Sequence, residues 1–290
     1  MRQNSGTEAH TLSSFAGQWF VVKIGGELAS DAGRLAASVG AAVSAFLEAG
    51  IQVLIVHGAG PQATALSQRL GIAPNMVGGR RVTDAATLEV MKMTLAGQVS
   101  VDIAATLSRA GIPALATTGV SAGLVRARKR PPLVVRGGGP APVDFGLVGD
   151  VEFVDVQRLQ RLVHAGFVPV LGSLAADVNG QVLNINADTV AGQIAGALKA
   201  AKLFLVSNVP GVLANKDDPT TRIPRLTPND AKARMDSGVI VGGMIPKVEE
   251  GLALLQGGVG AVHIVGIDPP TALFDEACAP GSQGTVFLRG

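Results

Sequence analysis

Trp19-Phe20-Val21-Val22-Lys23-Ile24-Gly25-Gly26 is the stretch on which the reading of this chain turns. An apolar, β-branched run with a lysine near its end and a glycine pair behind it predicts a β-strand running into a glycine turn. A strand covered on both faces rarely tolerates a lone cation, because desolvating a charge is costly unless an anion meets it. The glycines let a ligand approach the backbone and leave N–H groups free for an anion. A bound phosphate satisfies both features. The alternative is an edge strand whose lysine points to water.

Working outward, similar apolar runs recur at Phe20–Ile24, Gln52–Val56, Ile112–Ala116, Val168–Leu171, Leu203–Val206 and Ala261–Val265. Helical patterns lie between them at Ala32–Ala49, Pro61–Leu70, Ala85–Ser108, Val156–Ala165, Thr189–Ala200, Pro228–Asp236 and Lys247–Gln256. This alternation predicts an α/β protein with a mainly parallel sheet. In the middle, Leu124–Lys129 and Leu133–Arg136 flank Arg130-Pro131-Pro132 and predict a hairpin, followed by a Gly137–Pro142 loop. Such a hairpin suits either a wall beside a site or a solvated insertion. Composition never shifts sharply, so two lobes sharing one sheet are expected.

Composition narrows the function. The 290 residues are 47% hydrophobic and 16% charged, which fits a globular chain. A net charge of +2, with one Trp, nine Phe and no Tyr, argues against nucleic acid as a partner. The single cysteine, Cys278, cannot form an intramolecular disulfide. No apolar run reaches the roughly 18 residues of a membrane span, and no secretory core follows the first residues. The expectation is a soluble cytoplasmic protein.

Four further segments carry chemistry. His57-Gly58-Ala59-Gly60-Pro61 follows the second strand and opens a helix, a natural anion site, with His57 read as a buttress of the turn. Gly58–Ala63 also fits a loose G-x-G-x-x-A dinucleotide pattern, but no acidic residue follows at ribose-binding distance; Arg80 and Arg81 stand there instead. In Gly78-Gly79-Arg80-Arg81-Val82-Thr83-Asp84, Thr83 is expected to cap the next helix, Arg81 to grip a carboxylate, and Arg80 to lie on the surface. In Asn184-Ile185-Asn186-Ala187-Asp188, Asn186 is a helix cap, while Asn184 and Asp188 add polar groups to the same turn. In Gly242-Gly243-Met244-Ile245-Pro246-Lys247, a lysine falls in a helix's first turn, where the macrodipole disfavours it unless an anion is bound. Ser207–Val212 is a candidate nucleotide loop. There is no P-loop, zinc-ligand spacing or G-x-S-x-G motif.

Together these segments resemble the amino acid kinase family, in the expected order from about Phe15 to Thr285. The resemblance implies a three-layer αβα sandwich with an extension over residues 1–18, an acceptor lobe over 19–183 and an ATP lobe over 184–290. It implies phosphoryl transfer from ATP, with Mg2+, to the side-chain carboxylate of N-acetyl-L-glutamate in arginine biosynthesis; the alternative acceptors are glutamate or an aminoadipate derivative on a carrier protein. Arg126, Arg128, Lys129 and Arg130 would make a basic entrance for such a carrier. By resemblance Lys23 and Lys247 stabilise the transferring group and Asp188 organises them. Gly58, Ala59, Arg81 and Asn184 would hold the acceptor. Gly25, Gly26, Asn208, Val209, Pro210, Gly211, Val212, Leu213, Val239, Ile240 and Val241 would line the ATP site.

The family usually has glycine where Ala59 stands. Lys202, His263 and Glu276 match the pattern of an inhibitory L-arginine site, but Thr11 replaces a tyrosine and Ser282 a glycine. A homo-oligomer, either a dimer or a trimer of dimers, is implied. Two other classes are a nicotinamide-dependent oxidoreductase using Gly58–Ala63 and a silent amino-acid binder.

Overall fold

The computed structural model describes residues 12–135, 137–215, 217–241 and 244–289. Residues 1–11, Arg136, Gly242 and Gly243, which enter the expectations above, lie outside the described residues. The strands are β1 (Trp19–Ile24), β2 (Gln52–His57), β3 (Met76–Val77), β4 (Arg80–Arg81), β5 (Ala114–Thr118), β6 (Val125–Lys129), β7 (Gly149–Val154), β8 (Val168–Gly172), β9 (Leu174–Ala176), β10 (Val182–Asn184), β11 (Lys202–Val206), β12 (Arg225–Leu226), β13 (Ala261–Val265) and β14 (Gly284–Phe287). The α-helices are α1 (Gly26–Ala29), α2 (Ala32–Leu35), α3 (Ala41–Glu48), α4 (Gly60–Arg69), α5 (Ala85–Lys92), α6 (Ser100–Arg109), α7 (Val156–His164), α8 (Ala187–Ala197), α9 (Pro228–Asp236), α10 (Met244–Gln256) and α11 (Ala272–Cys278).

Eight strands form the main sheet in the order β12-β14-β13-β11-β1-β2-β8-β5. All neighbours run parallel except β13 and β14. The sheet is continuous across residue 184, because β1 pairs with both β2 and β11. The six apolar runs read as strands are all in it. The pleat of β1 explains the layers: Trp19 and Val21 enter one core, and Phe20, Val22 and Ile24 enter the other. Helices α7 to α10 cover the first face, with Leu159, Ile194, Ala231 and Val248 in its core. The second face is covered by α1 to α6 and α11, with Leu28, Phe46, Ile103 and Leu273. This is the expected αβα sandwich. Lys23 shares the pleat side of Trp19 and Val21, so it faces the layer containing α8.

The expected hairpin is corrected. β6 pairs antiparallel with β7, and Leu133 bridges Val143. The sequence between β6 and β7 folds over a small cluster of Val135, Phe145 and Val148. β6 also joins β9 and β10 in a second, four-stranded sheet. The two long predicted helices each contain a π-helical segment, Ala36–Gly40 and Met93–Val99. In the second, the Ser100 hydroxyl donates to the Leu95 carbonyl five residues back, matching the wider turn.

Candidate active site

The register of β1 assembles the site. Ile24 lies opposite His57, so Gly25-Gly26 follows β1 beside Gly58-Ala59 following β2. On the other side Lys23 lies opposite Leu205, which brings in the end of β11 with Ser207 and Asn208. The chain leaves β1 toward β2 on one side and returns at β11 on the other. Ligands of open α/β sheets bind at such a divergence, beyond the carboxyl ends of the strands.

Two cavities meet there. One encloses about 290 Å³ and is lined on its β11 side by Leu205, Ser207, Asn208 and Lys247. The other, about 420 Å³, is lined on its β2 side by Gly58, Ala59, Arg80, Arg81 and Asn184. Lys23, Gly25, Gly26, Asp188 and Glu250 line both. At this junction Lys23 Nζ lies 2.8 Å from Asp188 Oδ1, both side chains mostly buried. Asn186 caps α8, its side chain accepting from the amides of Asp188 and Thr189. The cap fixes the first turn of α8 and hence Asp188. Lys247, in the first turn of α10, has no ion-pair partner among the described residues. Burial, and then Lys23, lower its pKa. An unpaired, partly desolvated lysine beside a second lysine is a site prepared for anions.

The glycine turns permit this closeness. A Cβ on Gly26 would lie 2.5 Å from Gln62 Oε1 and 2.9 Å from Pro61 Cδ, so a side chain there would push α4 away. Gln62 donates to the Gly26 carbonyl and so ties the two turns together. His57 behaves as the expected buttress: buried, with Nε2 2.8 Å from Ser100 Oγ and a pKa lowered by burial to about 4. Ala59 is buried and lines the cavity on the β2 side.

Arg81 donates through Nη2 to Thr64 Oγ1, while its Nη1 is buried without a partner among the described residues. A guanidinium with one fork engaged and one spare is suited to a carboxylate. Arg80 is exposed, as expected, yet it lines the same cavity. The expected cap is corrected: Asp84, not Thr83, accepts from the Thr87 amide at the start of α5. Thr83 is buried instead and accepts from Asn184 Nδ2, which orients that amide.

On the β11 side, Asn208 donates to the Glu27 carboxylate at the cavity wall. Val212, Leu213 and Ile240 pack in the core under this end of the sheet. Val209, Pro210, Gly211, Val239 and Val241, like those three, are not among the cavity-lining residues. Lys202, His263 and Glu276 are buried; Lys202 opens β11 opposite Phe20, and His263, opposite Phe204, pairs with Glu276. Lys202 donates to the Ala277 carbonyl and faces the Phe15 ring at 4.7 Å; burial lowers its pKa to about 8. Glu276 accepts from His263 and from the amides of Gly281, Gln283 and Gly284.

Glu250 and Glu27 were not legible in the sequence as site residues. The only signal for Glu250 is its spacing, three residues beyond Lys247 on one helical face.

Residues 18–266 match the model of the amino acid kinase family. The chain belongs to the amino acid kinase family. It is similar to the acetylglutamate kinase of Sorangium cellulosum (strain So ce56), with 48% identity over 268 residues, covering 92% of this chain and 94% of that one. The acetylglutamate kinase of Anaeromyxobacter dehalogenans (strain 2CP-C) is 50% identical over 236 residues, covering 81% and 87%. Among solved structures, the N-acetylglutamate synthase of Neisseria gonorrhoeae complexed with coenzyme A and N-acetyl-glutamate superposes with a TM-score of 0.80 at 23% identity. That match covers 98% of this chain and 62% of the synthase chain, and it supports the fold.

Proposed function

We propose that this chain transfers the terminal phosphoryl group of ATP to the side-chain carboxylate of N-acetyl-L-glutamate, giving N-acetyl-L-glutamyl 5-phosphate and ADP in arginine biosynthesis, a cytoplasmic role. The observation that carries this reading is the Lys23–Asp188 pair at the junction of two cavities, with Lys247 unpaired beside it. The cavity beside β11 takes ATP, with Asn208 and Gly25-Gly26 at its wall. The cavity beside β2 takes the acceptor. There Arg81 holds the α-carboxylate, Asn184 a polar group, and Gly58 and Ala59 the chain. The boundary between acceptor and ATP lobes then falls near residue 184, at the strand-to-helix turn carrying Asn184 and Asp188.

An acceptor carboxylate is ionised at neutral pH and needs no general base. Phosphoryl transfer depends on positioning and on neutralising charge on the transferring oxygens. Lys23 and Lys247 would supply that neutralisation, with Asp188 holding Lys23 in register. Magnesium would arrive on the ATP phosphates, where it screens their charge. Glu27, at the wall of that cavity, offers a hard oxygen donor that suits it on the nucleotide side.

The entrance argues against a carrier-protein acceptor. Arg126 pairs with Glu152, Lys129 with Asp144 and Arg130 with Asp150, so most of the basic segment is already neutralised. A screen for ADP release with ATP and magnesium tests the proposal: N-acetyl-L-glutamate is expected to support turnover far above glutamate or carrier-bound aminoadipate. Selective turnover with either of those would overturn the acceptor assignment.

Inhibition by L-arginine at Lys202, His263 and Glu276, in a homo-oligomer of one or three dimers, belongs to the same proposal. Because the Glu276 carboxylate is already engaged by His263 and three amides, the inhibition is expected to be weak. Activity that stays flat up to the solubility of arginine would remove it.

A further inference from the structure

Glu250 is the group at the junction that the proposed reaction leaves without a role. It lines both cavities, one helical turn beyond Lys247 on α10. Among the described residues it has neither a hydrogen bond nor an ion pair. The charges facing it are Asp188 from α8, Lys23 from β1, Arg80 from β4 and Lys247 from its own helix. Lys23 is already committed to Asp188 at 2.8 Å.

Resting on the kinase reading, both substrates bring anionic groups to this junction: the acceptor carboxylate and the ATP phosphates. An ionised Glu250 would oppose each of them in a partly buried site, where like charges interact strongly. A protonated Glu250 has an O–H to donate to one of their oxygens. We propose that Glu250 takes up a proton from solvent when the anionic substrates bind, and holds them as a neutral hydrogen-bond donor at the junction. Burial, followed by the charge of Asp188, already raises its pKa in the free protein. A substrate carboxylate or phosphate raises it further, because another anion disfavours the ionised form.

Glu250 is therefore a pH-sensing group within the site. Its folded-state protonation favours binding at low pH, and the advantage is lost as pH rises through its raised pKa. The test is to titrate N-acetyl-L-glutamate into the wild-type enzyme calorimetrically, in buffers of different ionisation enthalpy, from about pH 5 to 9, where buried carboxylates titrate. Net proton uptake is expected, with affinity falling up to about tenfold per pH unit on the alkaline side, the slope of one linked proton. Glu250→Gln, a neutral isostere, is expected to abolish the uptake and flatten that limb, while still binding at high pH. Zero proton uptake by the wild type, or an unchanged pH slope in Glu250→Gln, would overturn the role of Glu250. Absence of any N-acetyl-L-glutamate binding at every pH would instead overturn the acceptor reading on which it rests.

Discussion

Lys23 and Lys247 are expensive residues in different ways: one sits in a buried strand, the other at the positive end of a helix. In the proposed reaction each is met by the phosphoryl group in transfer, whose oxygens carry the charge to be neutralised. Lys23→Ala and Lys247→Ala are each expected to lower kcat by about 100-fold or more, with a much smaller change in the KM for the acceptor. Steady-state kinetics with near-wild-type kcat in either variant would remove that lysine from the chemistry. Arg81 differs: in the proposed reaction its spare fork addresses a part of the acceptor that does not react. Arg81→Lys is expected to raise the acceptor KM about tenfold or more and leave kcat nearly intact, because lysine cannot grip in two places. Arg80→Lys is expected to be mild; the reverse order of damage would place the carboxylate on Arg80. Sequence alone pointed to Lys23 and Lys247 because each charge conflicts with its local setting unless an anion is supplied, whereas Asp188 suits its helix's first turn and was singled out by the family resemblance and by the polar groups converging there. Thr83 and Glu250 conflict with nothing locally. Only tertiary packing sets Thr83 against Asn184 and turns Glu250 into the junction, so neither was legible.

At the scale of elements, α8 carries Asp188 and must sit close to α10, which carries Lys247. Gly192 and Gly196 make that approach possible. A Cβ on Gly196 would lie 2.4 Å from the Gly257 carbonyl oxygen, which is backbone and cannot step aside. At Gly192 the obstacle is Leu254 Cδ2 at 1.9 Å, the end of a side chain that can rotate. Gly196→Ala is expected to cost about 1–3 kcal/mol by overpacking and to lower kcat by shifting Asp188. Gly192→Ala should cost clearly less, because alanine's helix propensity offsets part of the strain. Chemical denaturation of both variants checks this, and an equal or reversed order would contradict it.

Six of the eight strands of the main sheet were legible because both faces are covered, so they read as continuous apolar runs, whereas the short β12 and β14 beyond β13 were not read. Nor was β7. Gly149-Asp150-Val151-Glu152-Phe153-Val154 mixes polar and apolar residues at the edge of the second sheet. Its partner β6 lies across a long connection that local pairing cannot foresee. The predicted hairpin failed for that reason.

At the scale of the whole molecule, the glycine turn after β2 and helix α6 of the second face are linked through the buried His57. The unfolded chain binds a proton at His57 near its ordinary pKa of 6.5, whereas the folded chain does so only near 4. The folded state is thus penalised as the pH falls between those values, and the stability is fully present above about 6.5. The loss amounts to about 3 kcal/mol by linkage. Thermal melts from pH 7 to 4 should show this fall, and His57→Gln, though less stable overall, should lose that share of the slope. An unchanged slope would contradict the assignment.

The central claim concerns a reaction, and its product can be trapped directly. An acyl phosphate reacts with hydroxylamine to give a hydroxamate, so incubation with ATP, magnesium, N-acetyl-L-glutamate and hydroxylamine reports the bond formed. N-acetylglutamyl hydroxamate in step with ADP is expected for the wild type, and a yield lower by about 100-fold for Lys23→Ala. ADP release without hydroxamate, or equal hydroxamate from Lys23→Ala, would contradict that claim.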